Sequence, residues 1–522
     1  MSSTAAPDPP SFSVADRPWI PVRTRTAYEH VGLRELLLRA HEFDDLAFAI
    51  PPVASAVLRV ASAIAARICA LDDTDLSASR WNRLRRDLLE NTDRFDPKEV
   101  HAYFDRHEHR LDAFHPERPW LQDPRLAHQS DPAGINTLVL GRATGNNFAW
   151  FGPHTDAAPH PLPTAEAVQH LLLHHFYGRS GAAKPRTVGT YRNNKLTSAP
   201  LRGTVSFHPL GRTLYETLLA GIPAFHGDYH PAVDLSPWEE EDLPDPMAPP
   251  APVTWPGRLL TGRSRHALLL VPGPDGTTVT DAHLAWATRH PKPTALDPYV
   301  VLQLNPTAKD PEKRCTARRA DTGRAWWREL EALLLAPDES ARTRRPQVFD
   351  TLNDLPATVR DTLRVRVHGF HQDHQCVDYG WYTALTPPLL AWAQENDPGR
   401  AQRIADCCRT AEDIAHALTR AANQAWKDTT TPPGANRSSR PARRSRWAER
   451  AGAAYWPLAE KTFWRLLHDT DHPVGPAFAH DAITALRQAT DSAVIQHRAA
   501  ARARTTATTT LRLAGARLPK GS

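Results

Sequence analysis

The residues of this chain that could do chemistry are first of all its histidines, of which there are 26. His371 and His374 lie three apart with Asp373 between them, and His174 and His175 are adjacent. A metal site needs three or four convergent nitrogen, oxygen or sulfur ligands. HExxH does not occur, and the five cysteines (Cys69, Cys315, Cys376, Cys407 and Cys408) include no CxxC pair. The phosphate-cradling GxxxxGK[ST] and the nucleophile-bearing GxSxG are missing too. The favoured reading is surface or hydrogen-bonded histidines. No metal, no cofactor and no catalytic residue is expected, and a cytosolic setting with free thiols is the plain reading of the cysteines.

Three segments suggest phosphate or nucleobase chemistry instead. Arg437, Arg440, Arg443, Arg444 and Arg446 form the densest basic cluster, in a stretch without an acid. Guanidinium forks pair well with phosphate oxygens. The competing reading is a solvated loop. GNNFAWFG (145–152) places two glycines beside Asn146, Asn147, Trp150 and Phe151. Glycines permit close backbone approach and aromatics can pack on bases or on a partner, unless they simply turn into a core. YGRSGAAKPR (177–186) reads as a flexible Gly/Ala loop flanked by Lys184 and Arg186, or as a plain linker.

The elements that must position these segments fall into two parts, and the fold class expected is α+β. Residues 1–11 are rich in Ser, Ala and Pro and should be disordered. Residues 12–378 read as a large mixed α/β domain. RPWIPVRTRTAYEHVGLRELL suggests a strand, a turn and a short helix. Behind Pro51 and Pro52, apolar residues at Val53, Val57, Ala61, Ile64 and Ile68 have helical spacing. A helix is expected over 164–177, and strands over 266–272 and 299–305. Residues 379–503 read as a four-helix bundle, with Trp381 to Gln394 as its first helix. Residues 504–522, without an apolar face, should fray as a basic tail.

The net charge of +5 permits nucleic-acid contact without demanding it. Its distribution says more, because cations outnumber acids in 309–324, 437–450 and 498–520. No run of eighteen apolar residues suggests a membrane span, and MSSTAAPDPPSFS lacks the basic and apolar regions of a secretory signal. A cytoplasmic location is expected.

Several motifs occur in the order seen in one family. FSVADRPWIPV (12–22), the segment 33–64, AFHPERPWLQD (113–123), GNNFAWFG, LRGTVSFHPLGRTLYETLLAGIP (201–223) and VHGFHQD (367–373) together resemble the CasA family, over about 12–500. That family is the large subunit of the type I-E CRISPR complex Cascade. The resemblance implies partners: other Cascade subunits, CRISPR RNA, double-stranded target DNA and a helicase-nuclease effector, but no membrane. It also implies recognition of a short flanking motif, the PAM, from the minor groove. A wedge then opens the duplex so that RNA–DNA pairing can begin.

By position, the family's early loop corresponds to Asn146, Asn147, Trp150 and Phe151. Its glycine-rich loop corresponds to Ser180, Gly181, Ala182 and Ala183, with Lys184 or Lys195 as the PAM lysine. Its wedge corresponds to Gln372, Asp373, His374 and Gln375, with either glutamine as the inserted residue. This chain departs from the family in having one glycine in that loop and a histidine in that wedge. Arg437, Arg440, Arg443 and Arg444 are the candidate DNA-backbone contacts. A scaffold subunit without PAM reading and a metal-dependent nuclease remain as alternatives.

Overall fold

The computed structural model describes residues 9–142, 153–227, 229–230, 232–291, 295–336, 342–373, 377–430, 445–469 and 471–517. The chain divides into two units, Met1–Arg324 with Pro337–Ala391, and Ala325–Ala336 with Trp392–Ser522.

The first unit is organised around the helix Pro51–Ile68. Its two prolines occupy the first turn, where their missing N–H groups cost nothing. By length and composition this helix could cross a membrane, yet 83% of it is buried inside the protein, which makes it the core helix of this unit. Arg59 lies in its middle at 0% exposure. A charge so placed must be paired. Its guanidinium donates to both carboxylate oxygens of Asp297, at 2.6 and 3.1 Å, and to the hydroxyls of Ser55 and Ser206. Burial works against this pair, and the two guanidiniums of Arg59 and Arg263 nevertheless hold the Asp297 carboxyl below its ordinary value.

Around this helix lie antiparallel sheets. One has the strand order Asp378–Leu385, Arg364–Gln372, Val205–Leu210, and another joins Leu162–Pro163, Thr278–Trp286 and His266–Pro272. Gly369 sits opposite Tyr382, and a Cβ there would lie 2.3 Å from the tyrosine ring, so only glycine lets that ring cover the strand. A two-stranded hairpin, Gly181–Val188 with Tyr191–Leu196, stands apart from these sheets in pairing. The expected 299–305 strand is shorter, Leu302–Leu304.

The second unit holds the helices Pro398–Thr430, Arg446–His468, Val474–Gln496 and Arg498–Arg517. The bundle therefore exists, but its membership differs from the sequence expectation. Trp381 to Gln394 is not its first helix: Asp378–Leu385 is a strand. The supposed tail supplies the fourth helix, which buries Ala500, Ala503, Ala507, Leu511 and Gly515. A Cβ on Gly515 would lie 2.6 Å from the Ala479 methyl, so the two helices touch backbone to backbone there. Within this unit the Arg328 guanidinium lies 3.4 Å from the Trp456 ring centroid and donates to both Glu412 oxygens at 2.9 and 3.0 Å.

Candidate nucleic-acid interface

The helix Thr164–Tyr177 delivers the chain to Gly178, where a Cβ would fall 2.2 Å from the His266 ring. Three residues on, Gly181 takes φ +112°, a conformation that side chains rarely adopt. The segment expected to be a flexible loop is instead the first strand of a hairpin. Gly181 pairs with Leu196 and Ala182 with Lys195; the register then slips before Arg186 meets Asn193. Pro185, which cannot donate to a ladder, falls inside that irregularity. Ser180 is half-buried and Ala183 partly so, whereas Gly181, Ala182, Lys184, Arg192, Asn194 and Lys195 are exposed.

Arg186 departs from its expected role. Its side chain is fully buried and donates to Asp123 at 2.6 Å, to Gln129 at 2.8 Å and to the Trp286 carbonyl at 2.9 Å. It anchors the hairpin and has no phosphate-facing donor to spare. Burial raises the cost of the Asp123 charge, but hydrogen bonds and attraction from Arg125 and Arg186 hold that carboxyl below its ordinary value.

A second hairpin, Arg364–Gln372 with Asp378–Leu385, carries the expected wedge. Its end is closed by Asp373, whose amide donates to the Val377 carbonyl at 3.0 Å and whose carboxylate accepts from the Val377 amide at 2.9 Å. His374 and Gln375 lie outside the described residues, as do Asn146, Asn147, Trp150, Phe151, Arg437, Arg440, Arg443 and Arg444.

Gln372 is 1% exposed. Its carbonyl oxygen accepts from the Gly203 amide at 3.0 Å, and its amide donates to Asp378 at 2.8 Å and to the Tyr177 carbonyl at 3.3 Å. As placed, its side-chain oxygen and nitrogen are both engaged by internal bonds and it faces the protein interior. It is a staple.

Arg202 completes that staple, and sequence reasoning missed it. Its side chain is 2% exposed. It donates to the carbonyls of Tyr177 at 3.2 Å, Asp373 at 3.0 Å and Val377 at 3.4 Å, and to the Asp378 carboxylate at 3.2 Å. Tyr177 is the last residue before the chain turns toward the 181–196 hairpin, whereas Asp373, Val377 and Asp378 surround the tip of the other. Two hairpins nearly two hundred residues apart are thus rooted on one carbonyl. The available signal was a lone arginine within the largely apolar LRGTVSF, since a cation in such a run is normally buried and paired.

His174, His175 and His266 are hydrogen-bonded core residues, whereas His101, His109, His128 and His416 are exposed. His174 Nε2 donates to the Leu138 carbonyl at 2.9 Å. His175 Nε2 donates to the Leu121 carbonyl at 2.7 Å, and its Nδ1 faces the Ser264 hydroxyl at 2.6 Å. His266 Nε2 meets the Thr197 carbonyl at 3.0 Å. Among the described residues, no group of three His, Cys, Asp or Glu side chains could hold a metal ion.

Burial pushes His174 and His175 down to about 4, and His170 and His266 down to about 3. Below about pH 6.5 the unfolded chain binds protons at these sites that the folded chain does not. Stability that is full at neutral pH is therefore lost as the pH falls toward 4, on the order of 1 kcal/mol per pH unit for each histidine. Urea midpoints measured between pH 7.5 and 4.5 should fall steadily below 6.5. A flat profile would mean that these rings accept protons without leaving the core.

Residues 14–497 match the family model described as CRISPR-associated protein Cse1. The chain belongs to the Cse1 family. It is 29% identical over 330 residues to the CasA/Cse1 protein of Thermus thermophilus, covering 62% of this chain and 60% of that protein. The match thus spans about 60% of the curated relative. A chain from a solved structure titled "CRISPR RNA-guided surveillance complex" is 36% identical with a TM-score of 0.85, and the match covers 96% of this chain and all of that one. Thermobifida fusca Cse1 is 20% identical with a TM-score of 0.71, covering 97% and 98% of the two chains, a likeness of fold alone. The Cse1 assignment accounts for the order of motifs from 12–22 onward, and it gives the stapled hairpins a context in which to be read.

Proposed function

We propose that this Cse1-family chain is the large subunit of a CRISPR RNA-guided surveillance complex that reads a short motif flanking the target in duplex DNA. In this reading the 181–196 hairpin approaches the minor groove with Gly181 and Ala182, small enough for backbone to reach the groove floor, while Lys184 and Lys195 meet phosphates. The 364–385 hairpin then enters beneath the motif. With Gln372 consumed internally, the inserted side chain is assigned to His374 or Gln375. Guide RNA pairing takes over once the first base pairs part, because the heteroduplex formed nearly balances the duplex lost. The remaining partners are other subunits of the complex, CRISPR RNA and the helicase-nuclease that degrades the target. No step requires a catalytic group of this chain.

The observation that carries the reading is the shared root of the two hairpins on Tyr177, through Arg202 and Gln372. A groove reader and a wedge must act at adjacent base pairs, so their spacing has to be fixed. Support also comes from the Arg498–Arg517 helix, which has five arginines and no acid, with Arg498, Arg502 and Arg512 exposed. Such a face suits a phosphate backbone and replaces the 504–522 tail as the basic feature of that region.

The test is selection of duplexes with a randomised flank by the assembled, guide-loaded complex. Wild-type chain should enrich a flanking motif, and the double variant Lys184→Ala/Lys195→Ala should bind that motif about tenfold more weakly. Unchanged enrichment by the double variant would leave the chain a scaffold.

A further inference from the structure

Away from both hairpin tips, a recess opens where the first strands of the chain meet the root of the 364–385 hairpin. Its volume is about 230 Å³, several times the roughly 30 Å³ share of one water. Arg23 ends the strand Ile20–Arg23, where it pairs with Tyr28 on one side and Asp45 on the other. Arg366, His368 and Thr383 reach the recess from the hairpin, and Pro51 and Ala54 from the first turn of the Pro51–Ile68 helix. Tyr28, 72% exposed, forms the outer wall.

None of the described residues lining the recess is acidic. Asp45, buried beside the lining residue Leu46, has its carboxylate 2.7 Å from the Arg366 guanidinium. Burial raises that carboxyl above its ordinary value despite the pull of Arg366, Arg23 and Arg364. Three guanidiniums thus gather round one carboxylate and leave positive charge in excess. Two buried nitrogens also have no partner, Arg366 Nε and His368 Nε2. His368 is 3% exposed. Burial and the charges of Arg366 and Arg59 push its ring down to about 3, so it is neutral at pH 7. Its Nδ1 lies 3.4 Å from the Thr383 hydroxyl. When that hydroxyl donates to Nδ1, the ring proton sits on Nε2 and requires an acceptor. The helix adds its positive end, but Pro51 and Pro52 bring no N–H, so it contributes field rather than bonds. Water fills such a space without neutralising the excess charge.

We infer that this recess binds a terminal phosphate, either inorganic phosphate or the phosphate end of a mononucleotide. Arg23 on one strand and Arg366 and His368 on another suit oxygens spread tetrahedrally, whereas a carboxylate offers two oxygens in one plane. An internal phosphodiester carries a sugar on either side and cannot reach the buried His368 ring. A terminal phosphate enters end-on, and Tyr28 then offers an attached base a face on which to stack. The site stands whether or not the 364–385 hairpin opens DNA.

The test is calorimetric titration of the full-length chain with sodium phosphate in chloride buffer. Wild type and a Lys313→Gln control should bind a single phosphate with Kd on the order of 0.1 mM, and Arg23→Gln at least about tenfold more weakly. No saturable binding up to about 10 mM, equal affinity in all three chains, or acetate bound as tightly as phosphate would overturn the inference. Should Arg23→Gln shift the urea midpoint, the wild-type chain decides alone: in a 15N-histidine spectrum phosphate should move the signals of a buried ring, and a spectrum without phosphate-dependent shifts would overturn the site. Adenosine 5′-monophosphate bound at least about threefold more tightly than phosphate, with the gain lost in Tyr28→Ala, identifies the nucleotide end as the occupant; equal binding identifies free phosphate. Equal competition by 5′-hydroxyl and 5′-phosphorylated oligonucleotides would put internal phosphates in the recess and overturn the inference.

Discussion

Arg202→Ala is expected to cost the folded protein about 3 kcal/mol and to slow flank-dependent duplex opening by about tenfold in the assembled complex. One buried guanidinium currently serves the carbonyls of Tyr177, Asp373 and Val377 and the carboxylate of Asp378. Removing it strands those acceptors around a vacated volume. Breaking a buried pair typically costs about 3–5 kcal/mol. The lower end applies because the side chains of Asp373 and Asp378 keep 30% and 24% of their exposure and can turn to water. Lysine is no substitute, since a single ammonium cannot span four acceptors that a planar fork reaches together. Arg202→Lys should therefore recover less than half of the loss. The functional effect has a separate readout. The 181–196 hairpin keeps its own anchor at Arg186, so affinity for the closed, motif-bearing duplex should change less than threefold, about 0.6 kcal/mol. An unfolding midpoint close to wild type, or equal losses in closed-duplex affinity and opening rate, would mean that the staple does not set the spacing of the hairpins.

How far the sequence could be read depended on which physical signal was present. The Pro51–Ile68 and Thr164–Tyr177 helices were legible because large apolar residues recur at helical spacing and prolines mark the start of the first. The Asp378–Leu385 strand was not. Trp381, Leu385 and Leu389 are four apart, a spacing that fits a helical turn and a two-residue strand period equally well. The Arg498–Arg517 helix was missed for a different reason: apart from Leu511 its seam is alanine and glycine, which bury through close backbone approach and leave little hydropathy to detect. The glycine-bearing segment after Tyr177 read as a loop because Gly181 and Pro185 are usual breakers, and the bulge that tolerates the proline is a property of the pairing. Family resemblance drew attention to the segments 180–184 and 372–375. It could not show that Gln372 is turned inward, because burial of a polar side chain depends on partners such as Gly203 and Tyr177 that are distant in sequence.

The sharpest contrast is between two cations on one strand. Lys184 and Arg186 are two residues apart and were read alike from sequence, yet one is exposed and the other is 0% exposed. Arg186→Ala should lower unfolding stability by about 3–5 kcal/mol, because it removes a buried partner of Asp123 and leaves Gln129 and the Trp286 carbonyl without their donor. Lys184→Ala should change stability by less than about 0.5 kcal/mol, as expected for an exposed side chain away from caps and cores. In DNA binding by the assembled complex the order should differ in kind. In the proposed reading Lys184 meets one phosphate, so its loss should lower affinity and flatten the salt dependence by about one counterion. Arg186→Gln, which keeps a donor for Gln129 or the Trp286 carbonyl, should retain a salt slope equal to wild type even where it destabilises the hairpin. A flattened slope for Arg186→Gln would place that guanidinium on DNA and would require the hairpin to unfasten from Asp123 on binding. A preserved slope, with destabilisation confined to unfolding, would assign electrostatic contact to the exposed rim of the hairpin and leave its root to hold position.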